Sequence, residues 1–265
     1  MITMIIQARM GSTRLPEKIM KNACGKPLLQ HLLERVQKSE TVDKIIIATT
    51  TKHTDDVIEK FCKEKKVNFF RGSENDVLSR YKLTADYFNS DVVVRIVADC
   101  PLIDPKVIDK TVNFFINNDY DFVSNCYPLP RTYPEGYSVE IFSKKLLDEL
   151  YFNAKKPSDR EHVSFSLWMQ PEKYSAYRVD YEKDVSHYRF NLDYHEDYLL
   201  IKAVFEALYP NNPYFSMEDI ISWLDLHPES FKINRRNPSY ENILKSFEED
   251  IKQGFISNGA EYFKT

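Results

Sequence analysis

Apolar and polar positions alternate along the first half of the chain on two different periods. Residues 2–7, 44–50, 67–70, 91–97 and 121–125 are short apolar runs, several rich in Ile and Val, as buried parallel strands require. Between them, apolar residues recur at three- and four-residue spacing. Residues 27–38 put Leu28, Leu29, Leu32, Leu33 and Val36 on one face, with Pro27 suited to a first helical turn. Residues 55–65 follow Thr54, 76–88 follow Asn75 and 105–117 follow Asp104, each preceding side chain being able to cap a helix. This alternation predicts right-handed βαβ units and an α/β fold built on a doubly wound, mostly parallel, Rossmann-like sheet. Ligands of such sheets bind beyond the carboxyl ends of the strands, near a reversal of strand order.

After about residue 130 the alternation fades. Residues 137–142 and 174–180 read as further strands, with a helix over 160–169 between them. From residue 196 the pattern is helical over 196–208, 217–226 and 240–253, interrupted by the turns NNP and HPES. The expectation is an α/β domain over residues 1–200 and a helical C-terminal extension over 201–265, packed on that domain or on a second subunit.

Composition narrows the chemistry. The 265 residues are 43% hydrophobic and 29% charged, which allows a sizeable core. The net charge of −4 argues against a nucleic-acid partner, so any anion must be held by a local cluster of cations. Gln7 and Arg9 interrupt the first apolar run too early for a signal peptide, and no run approaches the roughly 20 apolar residues that span a bilayer. A cytoplasmic protein with no membrane contact is therefore expected. Cys24, Cys62, Cys100 and Cys126 are scattered with no CxxC pair, which predicts reduced thiols and no zinc site.

The loop after the first strand, ARMGSTRLPEK, is the strongest chemical signal. A strand leading through a loop into a helix supplies free backbone N–H groups, and Arg9, Arg14 and Lys18 add charge at spacings that suit one polyphosphate. Gly11 and Ser12 permit close backbone approach. The segment VRIVADCPLIDP ends a strand in Asp99 ahead of Pro101, so a carboxylate is expected at the sheet's carboxyl edge, where it suits Mg²⁺ or caps the next turn. In RFNLDYHEDY, Asp193 ends another strand-like run and is the candidate to join Asp99 on a metal. Glu196 and Asp197 read as helix-capping acids. His31 reads as structural and Cys100 as buried filler, while Tyr127, Tyr133 and Tyr137 are candidates to stack on a sugar or base.

QARMGSTRLPEK resembles the signature loop of the CMP-sugar synthetase superfamily, which includes the acylneuraminate and Kdo enzymes. RGSENDVLSRY, ADCPLIDP, PEGYSVEIF, DREHV and NLDYHEDY, in that order, resemble its branch of SpsF-type spore-coat polysaccharide cytidylyltransferases. The resemblance implies a GT-A-like nucleotidyltransferase, in EC class 2.7.7, that transfers CMP from CTP to a sugar acid of the nonulosonic type and releases pyrophosphate. It implies that Ala8, Arg9, Gly11, Ser12, Arg14 and Lys18 hold the triphosphate, and that Arg71, Gly72, Ser73 and Arg80 border base and ribose. It also implies that Asp99 and Asp193 bind Mg²⁺, that Arg131, Glu140, Arg160 and His162 approach the sugar, and that the enzyme is a homodimer. Arg14, Lys18, Asp99 and Asp193 would carry the catalysis. Two residues depart from the pattern: Glu17 stands where the family often has Gly, and Ser138 where this branch often has Asp. A nucleotide-sugar glycosyltransferase is the alternative enzyme, although Asp99 is followed by Cys100 and Pro101 rather than by a paired DxD. A non-catalytic nucleotide-binding protein is the other alternative.

Overall fold

The computed structural model describes residues 1–127, 129–170, 172–238 and 241–255. Seven strands make one sheet: β1 (Ile2–Gln7), β2 (Lys44–Thr50), β3 (Asn68–Gly72), β4 (Val92–Val97), β5 (Phe122–Ser124), β6 (Glu140–Ser143) and β7 (Ala176–Arg178). Their order is β3-β2-β1-β4-β6-β5-β7. β1 lies parallel between β2 and β4, with Ile5 opposite both Ile46 and Arg95. β6 runs antiparallel to β4 and β5, so the strand expected over 121–125 has an antiparallel neighbour inside a mostly parallel sheet.

Successive side chains of a strand face opposite sides of the sheet, and both sides are buried here. Met4, Ile6, Ile47, Val94 and Ile96 face one apolar cluster, which takes in α1 (Leu28–Val36), α2 (Asp56–Lys65), α4 (Pro105–Ile116), α8 (His195–Leu208) and α9 (Met217–Leu226). Ile5, Ala48 and Val93 face the other, with α3 (Val77–Tyr87) and α5 (Lys144–Asn153). Residue 200, the expected domain boundary, lies in the middle of α8. Leu200, Ile201, Val204 and Phe205 of that helix are buried in the same cluster as β1.

Helix starts follow local chemistry with two shifts. Asp104 caps α4, accepting from the Lys106 N–H at 2.8 Å, as expected. α3 is capped by Asp76, through the Ser79 N–H at 2.8 Å, rather than by Asn75. A 3₁₀ turn over His53–Asp55 precedes α2, which leaves Thr54 inside the turn and not at the cap. α5 was not expected; Ser143 starts it directly at the end of β6, so no loop separates the two patterns. The helix expected over 160–169 is split into α6 (Pro157–His162) and α7 (Phe165–Met169). The break is at Val163, whose φ of 60° ends α6 while its side chain stays buried. The chain ends in α10 (Pro228–Phe231) and α11 (Glu241–Lys252); residue 240 of the expected last helix and residues 256–265 of the expected extension lie outside the described residues. Among the described residues no helix is long and apolar enough to cross a membrane.

Candidate active site

The strand order reverses at β1, whose chain leaves toward β2 on one side while β4 returns on the other. The carboxyl ends of β1 and β4 therefore border a crevice, where this class of sheet binds its ligands. A cavity of about 320 Å³ opens there, lined by the loop after β1, the turn after β4 and the 135–140, 161–165 and 191–193 segments. The first loop is anchored from below. The Met10 N–H donates to Asp55 Oδ1 at 2.8 Å, and the other oxygen of Asp55 accepts from the Thr50 hydroxyl. Asp55 is spent on this loop, which is why it opens α2 with no side-chain cap. At the far end of the loop Glu17 sits at φ 57°, ψ 24°. That left-handed conformation costs an ordinary residue about 1–2 kcal/mol and glycine little, so Glu17 occupies a turn that would suit glycine.

Four charged side chains meet at the mouth of the crevice. Lys18 Nζ donates to Asp99 Oδ2 and to Asp193 Oδ1, both at 2.8 Å. Arg14 reaches Asp193 Oδ1 at 2.9 Å and Glu241 Oε2 at 3.1 Å, with its guanidinium 5.0 Å from the centre of the Tyr194 ring. Burial disfavours the Lys18 ammonium, but Asp99 and Asp193 more than offset it and its pKa is raised. Burial likewise opposes the Asp193 carboxylate, and Lys18 and Arg14 outweigh it to hold the pKa below the usual carboxylate range. Lys18, Arg14 and Asp193 are thus charged near neutrality. Residues 81 and 175 positions apart in the chain converge on one ammonium, an arrangement that a solvated basic loop would not make.

Behind Asp193 lies a buried hub. Asp197 is fully buried and accepts from Arg189 Nε (3.0 Å) and Nη2 (3.1 Å), from the Asp193 and Tyr194 N–H groups (3.0 and 2.9 Å), and from the Asn234 and Asn237 side chains (2.8 and 3.0 Å). The helix-capping role expected for Asp197 is therefore only part of its work: it fixes the backbone that presents Asp193. Gly136 permits the neighbouring loop to close on this segment. With φ of 93°, it leaves room for Phe190 and Asn191, whose backbone would lie 2.5–2.6 Å from any Cβ placed there.

The inner end of the cavity carries a second network. Arg95 on β4 stands opposite Glu140 on β6 and donates to it at 2.6 Å, with Gln7 Oε1 at 3.1 Å. The second oxygen of Glu140 accepts from the Ser164 hydroxyl. His162 shares a hydrogen bond of 2.9 Å with Ser246, whose hydroxyl donates to Glu161 at 2.8 Å. Burial outweighs the pull of Glu161 and lowers the His162 pKa to about 4. The imidazole is neutral at physiological pH and too weak a base to be matched to it.

Of the residues expected from the sequence, Ala8, Arg9, Gly11, Ser12, Arg14, Lys18, Arg80, Asp99, Arg131, Glu140, His162 and Asp193 line this cavity. Arg71, Gly72, Ser73 and Arg160 do not. Arg71 turns outward, held by Asp56 (2.7 Å), Glu59 (2.6 Å) and the Thr50 and Lys52 carbonyls (2.8 Å each). Gly72 and Ser73 act through Arg80: a Cβ at Gly72 would lie 3.1 Å from Arg80 Cγ, and the Ser73 carbonyl accepts from the Arg80 guanidinium. Arg160 points to Asp76 (3.3 Å) and the Ala154 carbonyl (3.0 Å) and lies over the Tyr151 ring. Of the aromatic candidates only Tyr127 lines the cavity; Tyr133 and Tyr137 are core residues. Sequence reading missed Gln7, Arg95, Glu135, Asn191 and Glu241, all of which line it. A charge inside the apolar run VVVRIV was the signal for Arg95; nothing local marked Glu241.

Comparison with known proteins agrees with this geometry. Residues 3–220 match the cytidylyltransferase family. The spore coat polysaccharide biosynthesis protein SpsF of Bacillus subtilis is 32% identical over 241 residues, covering 86% of this chain and 96% of its own. The 3-deoxy-manno-octulosonate cytidylyltransferase of Francisella tularensis subsp. novicida is 30% identical over 69% of this chain and 76% of its own. The solved structure of a cytidylyltransferase from Leptospira borgpetersenii superposes with a TM-score of 0.83 at 34% identity, covering 91% of this chain and 99% of that one. These matches set aside the glycosyltransferase and the non-catalytic alternatives. The chain belongs to the cytidylyltransferase family, and it is a nucleotidyltransferase.

Proposed function

We propose that this enzyme transfers CMP from CTP to the anomeric hydroxyl of a sugar acid of the nonulosonic type, releasing pyrophosphate, and that it serves surface polysaccharide or glycan synthesis. The convergence of Arg14, Lys18, Asp99 and Asp193 on one point of the crevice carries this reading. The hydroxyl oxygen attacks the α-phosphorus in line, its proton is lost to solvent, and the bond from the α-phosphorus to the oxygen bridging the β-phosphate breaks to release pyrophosphate, with no covalent enzyme intermediate. Arg14 and Lys18 neutralise the departing pyrophosphate, while Arg9 and Arg80 line the same cavity for the rest of the nucleotide. Arg131, which lines the cavity, is the cation that would meet a sugar carboxylate in this reading.

The donor set fits a divalent cation such as Mg²⁺. Asp99 and Asp193 offer hard oxygen donors close enough to share one ammonium, and no third His, Cys, Asp or Glu joins them among the described residues. Mg²⁺ is commonly held by one or two carboxylates, with substrate phosphates and water completing its shell. Bound there, it would offset charge on the phosphates. A thermal-shift titration with CTP, UTP, GTP and ATP, with and without Mg²⁺, tests the assignment, because a ligand of the native state raises the melting temperature by mass action. The expected result is a Mg²⁺-dependent rise with CTP that the other nucleotides do not match. Equal shifts with all four would remove the cytidine assignment.

A further inference from the structure

The family match ends at residue 220, yet Pro238, Glu241 and Ile243 form part of the cavity wall. The helix that supplies Glu241 and Ile243, α11, is held very differently at its two ends. Its second half is bolted to α6. Asp250, fully buried, accepts from the Ser158 N–H at 3.1 Å and from the Ser158 hydroxyl, Ser246 bonds to Glu161 and His162, and Phe247 packs on Phe165 with ring centres 4.9 Å apart. The side chain of its first residue, Glu241, is held among the described residues by charge and hydroxyl contacts at the mouth of the crevice. Arg14 Nη1 lies 3.1 Å and the Tyr194 hydroxyl 2.7 Å from the same Oε2, with Lys245 at 3.9 Å. The Glu241 side chain is 38% exposed, against 12% for Asp193 on the other arm of the same guanidinium.

We propose that Glu241 is an internal anion seated on Arg14, which the nucleotide's polyphosphate displaces, so that the first turn of α11 gives way while its second half stays docked. The proposal rests on the reading that Arg14 holds the triphosphate. An exposed carboxylate pair is weak and a polyphosphate carries several charges to the same guanidinium, so the exchange favours the nucleotide. Both anions cannot share that arm without like-charge repulsion. Glu241 therefore lowers the affinity of the empty site for polyphosphates, and does so more for CTP than for CMP.

The test is calorimetric titration of the full-length protein with CTP and with CMP, for wild type, Glu241→Gln and Glu248→Gln. Glu248 is exposed on the same helix and removes an equal charge away from Arg14. The expected result is CTP binding about two- to fivefold tighter in Glu241→Gln, the span of an exposed ion pair, with a smaller gain for CMP and none in Glu248→Gln. Hydrogen exchange is expected to rise over residues 245–248, whose N–H groups bond to the carbonyls of the first turn, on adding CTP, and to stay unchanged over 249–252. Unchanged or weaker CTP binding by Glu241→Gln, with wild type binding normally, overturns this inference alone. Wild type that does not bind CTP overturns the triphosphate reading and this inference with it.

Discussion

Asp99→Asn is expected to lower turnover by about 10²–10³-fold while the protein stays folded, the range seen when one group that stabilises transition-state charge is removed. The substitution preserves volume, and Lys18 keeps its second partner, Asp193, at 2.8 Å, so the buried ammonium is not stranded. The fold loses little, because Asp99 stands at the carboxyl end of β4 rather than in the sheet, and its backbone carbonyl still receives the Leu192 N–H at 2.9 Å. What disappears is one of the two carboxylates proposed to hold a divalent cation. Steady-state turnover at saturating CTP and Mg²⁺, read beside the melting temperature, checks this. Full turnover in the variant would take Asp99 out of the chemistry. Lost turnover accompanied by unfolding would make the residue structural.

The largest effect on stability is expected at Asp197, a residue that touches no substrate in this account. Asp197→Ala removes six hydrogen bonds to one fully buried carboxylate and leaves the Arg189 guanidinium paired only with Glu135 at 2.7 Å and, loosely, with Asp193 at 3.5 Å. Breaking a buried pair from one side costs about 3–5 kcal/mol, because the remaining charge keeps its desolvation penalty. A two-state urea melt should show a loss of that size. The Asp193 and Tyr194 N–H groups lose their acceptor as well, so whatever folded protein remains should bind nucleotide less tightly. A loss below about 1 kcal/mol would mean that water replaces the carboxylate and that the hub is not structural.

These two residues show what a sequence reading reaches and what it does not. β1, β2 and α9 match their expected residues end to end, because each is a run whose period is set by what it buries. The loop carrying Arg14 and Lys18, and Asp99 two residues beyond a strand end, were legible for the same reason: a charge at the end of an apolar strand has few places to go. Arg71 and Arg80 sit in one short motif nine residues apart, and only geometry separates them. The last strand residues turn Arg71 toward α2, while the helix that follows brings Arg80 under the cavity. Asp197 looks like any acid in a first helical turn until Arg189, Asn234 and Asn237 are folded around it. Glu241 lies 227 residues from Arg14, and no local pattern encodes a contact of that range.

The departure at position 17 is resolved by the same comparison of pattern with geometry. Its backbone adopts the left-handed turn that glycine would favour, at a small local strain. Ser138, the other departure from the expected pattern, lines the cavity, where it offers a hydroxyl.

The most direct measurement is pyrophosphate release from CTP and Mg²⁺ on adding a panel of sugars, with nonulosonic and other sugar acids beside neutral hexoses. The account predicts release that requires CTP and a sugar acid together, is absent with either alone, and falls by about 10²–10³-fold in Asp99→Asn. Release with a neutral hexose and none with any sugar acid would contradict the proposed acceptor, and equal release from UTP, GTP or ATP would contradict the assignment of CTP.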